Sequence, residues 1–296
     1  MKKESKASSS KNAPTTFSVV VPSLGRSAEL VRLLDSLASQ TLRHIEVIIV
    51  DQNDDRRLFG LFKSFERRFP IVHIHTPGQR GASRARNIGW RRANGKFLVF
   101  ADDDCWYPTT LLENVEALFQ TSDADILAGR ATDETGRNIN GRFEAKRQPI
   151  DKHNVWTTSI EWMLFFRREV LEALDGFDTT IGVGASTPWQ SAEGQDIVLR
   201  ALARGLNCYF DPSLQGHHQE LDIFDPDSAM LQKARAYGRG MGFVLRRHGY
   251  GPSSMFTWLG RPSAAAMLYA VQGQVSRARY YHNVMLGRLE GWRQRG

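Results

Sequence analysis

The segment Phe97–Pro108, FLVFADDDCWYP, carries a short apolar run straight into three consecutive aspartates. Neighbouring carboxylates repel, and burying one without a partner is costly. Three of them at the end of a strand that reads as buried point to a cation held there. Hard oxygen ligands with room left for phosphate suit Mg²⁺ or Mn²⁺ beside a nucleotide. The competing explanation is an acidic turn that caps a helix opening near Pro108, a position aspartate favours. Other carboxylates fit the first chemistry. Asp51 ends the run VIIVD, and Glu193 and Asp196 lie in EGQDIVLRALARG, which reads as a helix stopped by Gly205.

These residues need a scaffold that gathers them. FSVVV (17–21) and VIIV (47–50) read as buried strands, Ile71–His75 as a third and Phe97–Phe100 as a fourth. Between them, Leu30, Leu33, Leu34 and Leu37 recur at helical spacing with Ser27 as N-cap, and helices are predicted over 58–69 and 81–93. Pro108 opens another helix. The stretch from Ala131 to Val155 reads as a polar loop over the site, and Trp162–Phe166 as an apolar return segment. Alternating strands and helices predict an α/β fold with a mainly parallel sheet, whose ligands sit beyond the C-terminal strand ends. Those ends carry Pro22, Ser23, Asp51 and Asp102–Asp104.

A chain of 296 residues with 41% hydrophobic content can bury one large core, with or without an appendage. Cys105 and Cys208 give no disulfide framework, so a reducing cytoplasmic setting is expected, and Cys105 is assigned to packing. No apolar run reaches the roughly 18–20 residues of a membrane span. Residues 1–15 lack an apolar signal core and read as a disordered leader.

The net charge of +7 is uneven: Pro226–Gly296 holds eleven Lys/Arg against Asp227 and Glu290, so that segment alone carries +9. The aromatic platforms and module signatures of a nucleic-acid surface are missing, so no nucleic-acid partner is expected. Apolar residues at 230, 234, 237, 241, 244 and 245, then from Ala264 to Leu289, fall on helical faces among arginines. Such helices either lie on an anionic membrane surface or pack on the α/β body with their arginines in water. The glycines at 238, 240 and 242 follow no strand and are not a nucleotide loop.

In order, FSVVVPSLGR, VIIVDQNDD, GASRARNIG, FLVFADDDC, RREVLEALDGFD, EGQDIVLRALARG and YFDPSLQGHH resemble the family 2 glycosyltransferases of the GT-A fold, over roughly residues 17–220. The tail more weakly resembles extensions of bacterial enzymes that build surface polysaccharides. The resemblance implies that Pro22, Ser23 and Asp51 cradle the nucleoside, with Gln52 where an aspartate often meets the base. It implies a basic residue near the donor at Arg84 or Arg86. Asp102, Asp103 and Asp104 match the DxD element that holds Mn²⁺ or Mg²⁺ on the diphosphate: Asp104 for direct coordination, Asp102 for ribose or metal, Asp103 for either. His218, more than His217, falls where many relatives place a histidine near the metal.

Inverting transfer needs a base for the acceptor hydroxyl. The family's usual position for it is Gly194 here, which leaves Glu193 as the preferred substitute. Asp196 is the second candidate, with an i,i+4 partner in Arg200. Trp156 and Trp189 are candidates for stacking on sugar or for packing. The expected organisation is a GT-A domain over 16–225 and a basic amphipathic helical extension over 226–296. The expected activity is metal-dependent inverting transfer from a nucleoside-diphosphate sugar to a saccharide or lipid-linked saccharide, in the cytoplasm or peripherally on the inner face of its membrane. The alternatives are a nucleotidyltransferase, for which VPSLGRS is a poor phosphate loop, and a non-catalytic sugar-nucleotide binder or scaffold.

Overall fold

The structure, a computed structural model, describes residues 15–294; all of the expected leader but Thr15 lies outside the described residues. β1 (Phe17–Ser23), β2 (Ile45–Asp51), β3 (Ile71–His75) and β4 (Phe97–Phe100) run parallel, as their apolar runs and intervening segments require. With β5 (Ile126–Thr132), β6 (Gln148–Pro149), β7 (Leu164–Arg167) and β8 (Cys208–His217) they form one sheet in the order β3-β2-β1-β4-β7-β5-β8-β6. Side chains alternate across a strand. Val19 and Val21 of β1 therefore join the core under α1 (Ala28–Ala38), while Val20 joins the core under α2 (Ala82–Trp90). Full burial of each such side chain contributes roughly 1.5–3 kcal/mol. Gly89 lets α2 approach closely, because a Cβ there would collide with Val20.

Register decides what reaches the C-terminal edge. Val20 pairs with Phe100, so the aspartates after β4 continue beside Pro22 and Ser23. β7 is antiparallel to both β4 and β5, and the short 3-10 turn Glu161–Met163 that feeds it therefore lies at the same edge. β8 runs parallel to β5 and delivers His217 and His218 there, with Trp106 bridged to His217.

Three local expectations change. Over 58–69 the chain makes turns and one 3-10 turn, Leu61–Ser64, because Gly60 takes a left-handed φ of 84°. Leu58, Phe62, Phe65 and Phe69 still anchor in the core, since successive tight turns repeat an apolar residue at nearly helical spacing. The helix expected at Pro108 begins later, as α3 (Leu111–Thr121). Ser27 stands at the N-cap of α1 without a side-chain capping bond.

After the short α4 (Val155–Thr158), α5 (Arg168–Leu174) and α6 (Glu193–Ala203), the chain ends in α7 (Ser228–Arg247), α8 (Pro252–Val271) and α9 (Val275–Arg293). Asp227 caps α7 by accepting from the Met230 N–H at 2.7 Å. Gly238 and Gly242 of α7 meet Gly287 and Gly291 of α9 backbone to backbone, with no space for a methyl group at any of the four. That contact is the structural use of the tail's glycines. α7 packs on the body through Ala234, Phe243 and Val244 and through Arg247–Asp178 at 2.5 Å, whereas the α8–α9 turn leaves its apolar residues exposed. No described helix is long and apolar enough to cross a membrane.

Candidate active site

The aspartate triplet divides its work. Asp103 turns inward: it accepts from Ser23 Oγ at 2.8 Å and the Leu24 N–H at 3.3 Å, and pairs with Arg26 Nη1 at 2.7 Å. It ties the end of β1 to the end of β4. Burial outweighs those partners and pushes its carboxyl up to about 6. Asp102 and Asp104 join His218 instead; a ligand atom from each lies within 4.8 Å of the others, the one such cluster among the described residues. Asp103, expected to meet ribose or metal, is bonded here to Ser23, Leu24 and Arg26 and stands outside the Asp102–Asp104–His218 cluster.

Asp104 contacts His218 Nε2 at 3.0 Å and Arg26 Nη2 at 2.7 Å. Burial opposes its ionisation, yet these two cations hold it below the ordinary carboxylate value. Burial likewise opposes a charge on His218, but the Asp104 hydrogen bond and charge raise it above its usual value. The cluster therefore already concentrates positive charge on the carboxylates. Two hard carboxylates and an imidazole within reach of one point form a donor set that suits a divalent cation.

Arg86 is the hinge of the site. It is 2% exposed, donates from Nη1 to Glu193 Oε1 at 2.9 Å and from Nη2 to Asp102 Oδ1 at 3.1 Å. Burial acts to lower its pKa, and Glu193 and Asp102 together more than reverse this. Arg84 of the same helix is exposed and belongs to the outer surface, not the site, because residues two apart on a helix do not share a face.

Asp51 is fully buried and accepts from the Asn53 N–H at 3.0 Å and Nδ2 at 2.7 Å, with His73 Nε2 at 3.0 Å. Gln52 spends its amide N–H on the carbonyls of Gln79 and Gly81, so Oε1 is its remaining polar atom. Pro22 and Ser23 stand at the end of β1, opposite Val50 and Asp51 in register.

Linked to the cluster through Arg86 and Glu193 is a cavity of about 390 Å³, walled by Asn140 and Phe143 of the segment between β5 and β6, Trp156, Glu161, Glu193, and Tyr237 and Met241 of α7. Asn140 also donates to the Gln219 carbonyl at 3.0 Å next to His218, and the Trp162 ring lies 5.7 Å from that imidazole. Ala192, in a left-handed conformation (φ 73°), turns the chain into α6 so that Glu193 lines this cavity. Asp196 does not join it. Its carboxylate is 1% exposed and paired with Arg200 at 2.8 Å and His248 Nε2 at 2.8 Å, which makes it a tie between α6 and the end of α7. Trp189 stacks on Phe243 at 4.5 Å and is packing.

Arg26, Glu161 and Tyr237 were not legible as site residues. Arg26 alone had a signal, in the SLGRS that follows β1.

An uncharacterized glycosyltransferase of Haemophilus influenzae is 29% identical over 195 residues, 63% of this chain and 62% of that relative. The match thus spans less than two thirds of that relative's own length. Among solved structures, the mannosyltransferase PcManGT from Pyrobaculum calidifontis, in complex with GDP-Man and Mn²⁺, superposes with a TM-score of 0.63 at 16% identity, covering 94% of this chain and 90% of that one. Staphylococcus aureus TarS 1–349 in complex with UDP gives 0.57 at 18% identity, covering 93% and 90%. These likenesses confirm the GT-A architecture with its added C-terminal helices. The Glycosyl transferase family 2 signature itself matches residues 18–175, more than half of the chain, and with the strand-end aspartates in their expected order it makes this protein a member of that family.

Proposed function

We propose that this chain transfers a sugar, with inversion, from a nucleoside-diphosphate donor to the hydroxyl of a saccharide, and that it uses Mn²⁺ or Mg²⁺. One observation carries the reading: Asp102, Asp104 and His218 converge at the strand ends, and Arg86 joins Asp102 to Glu193, which lines a sugar-sized cavity. A divalent cation on that cluster offsets the negative charge that grows on the departing diphosphate. The backbone of Pro22–Ser23, the Asp51 region and Gln52 Oε1 form the nucleoside side of the site. Arg86 fixes Asp102 from within, and the cavity on the far side of Glu193 receives the acceptor. PcManGT and TarS, whose structures contain GDP-Man with Mn²⁺ and UDP, supply the precedent for the donor class.

The acceptor in this proposal is a lipid-linked saccharide at the inner face of the cytoplasmic membrane. Met267 (71%), Leu268 (54%), Val271 (83%) and Val275 (54%) are exposed together at the α8–α9 turn, flanked by the exposed Arg261 and Arg279. An apolar patch rimmed by arginines suits an anionic membrane interface.

A thermal-shift panel of UDP-, GDP-, dTDP- and CDP-sugars, each with Mn²⁺ and with EDTA, tests the core of the proposal. One donor class stabilises the protein only with metal, and Asp104→Asn abolishes the shift. Stabilisation by a donor without subsequent transfer would favour a sugar-nucleotide-binding scaffold. No metal-dependent shift with any donor would refute the proposal.

A further inference from the structure

The first turn of α6 has a glycine, Gly194, in a space where even a Cβ would be tight. A Cβ there would stand 3.0 Å from Glu161 Cβ and 3.1 Å from both Glu161 Cα and N. What fills that corner is Glu161 itself, from the turn that enters β7. We propose that Glu161 is the catalytic base that takes the proton from the acceptor hydroxyl, and that Glu193 is a positioning residue that holds Arg86. This assignment rests on the glycosyl-transfer reading above.

Three observations separate the two glutamates. Both line the cavity, but the Glu193 side chain is 2% exposed and its Oε1 accepts from Arg86 Nη1 at 2.9 Å, so that carboxylate is held in place by a buried guanidinium. Glu161 is half-buried, opens to the cavity and accepts no side-chain hydrogen bond from another residue among the described residues. Its neighbour Trp162 lies 5.7 Å from the His218 ring, so the turn that carries Glu161 runs from the acceptor cavity to the candidate metal cluster. Burial, then the charges of Glu193 and Asp102, push Glu161 up to about 8 against the pull of Arg86, so it is a stronger base than an exposed glutamate. Tyr237, across the cavity on α7, is itself raised by burial and stays protonated in this range.

The step balances without a further reagent. The acceptor oxygen forms its bond to the anomeric carbon as Glu161 receives its proton. The bond from that carbon to the diphosphate oxygen breaks, and its electron pair leaves with the nucleoside diphosphate.

Azide distinguishes a base from a structural residue, because the anion attacks carbon with no proton to lose and yields a glycosyl azide. The experiment measures nucleoside-diphosphate release with Mn²⁺ from UDP-GlcNAc or GDP-mannose, whichever stabilises the protein, with water and then azide as nucleophile. Glu161→Gln should lower water-supported release about 100-fold or more, while azide-supported release stays within about threefold of wild type. Glu193→Gln should lower both. As a second variant, Glu161→Ala should regain water-supported release with added formate. Equal loss with both nucleophiles and no formate rescue, or no loss at all in Glu161→Gln, would overturn the assignment while leaving glycosyl transfer in place. A wild type that binds donor but releases no diphosphate to water or azide would overturn glycosyl transfer and the base together.

Discussion

Removing the Arg86 charge is the sharpest test of how the site is built. Arg86→Met keeps most of the volume but leaves Glu193, 2% exposed, facing no counter-charge. At an effective dielectric of about 20, two unit charges ~4 Å apart attract by about 4 kcal/mol, and breaking a buried pair typically costs about 3–5 kcal/mol. A second limit comes from protonation. A stranded carboxylate can take up a proton instead, which for an ordinary glutamate costs about 1.36 kcal/mol per pH unit above ~4.3. The penalty is then capped near ~4 kcal/mol at pH 7 and falls to about 1 kcal/mol at pH 5. The sign follows from linkage: the folded variant binds a proton that its unfolded chain releases, so its stability falls as pH rises. Urea denaturation of wild type and Arg86→Met at pH 5, 6 and 7 measures the trend. Adding Glu193→Gln should remove most of it. A loss below about 1 kcal/mol at pH 7, or one that does not change with pH, would refute the buried-pair account.

Asp196→Asn should destabilise the fold yet preserve metal-dependent donor binding, because its partners Arg200 and His248 lie away from the cluster. Burial works against the Asp196 charge, but His248 and Arg200 hold its pKa below the ordinary value, so its stabilisation is present above about pH 4. It is lost as pH falls through the depressed folded value, and acid-unfolding curves of wild type and variant should converge there. At the other end of the molecule, Met267→Glu with Val271→Glu should at least halve cosedimentation with vesicles containing anionic phospholipid. Wild-type binding should itself weaken with added salt; unchanged binding by the double variant would remove the α8–α9 turn as the contact.

The sequence by itself determined the elements and the edge at which they deliver their polar ends. Apolar runs of strand length cannot stay in water, and each here stops at a residue that can: Ser23, Asp51, Asp102, His217. That pattern, with the order of the motifs, was enough for the parallel α/β core, the family and the carboxylate cluster. Local rules failed where two structures share one spacing, as in the turns over 58–69, and where a side chain's partner is remote. Asp103 and Asp104 are adjacent in sequence, yet one is bound to Ser23 and the other to His218. Glu193 and Asp196 were both open as bases until the fold gave one to Arg86 and the other to His248, whose positions are 107 and 52 residues away. Glu161 became visible only when the antiparallel entry of β7 brought it against Gly194. Charge placement at close range depends on contacts between distant segments, and those are decided by tertiary packing and not by local sequence.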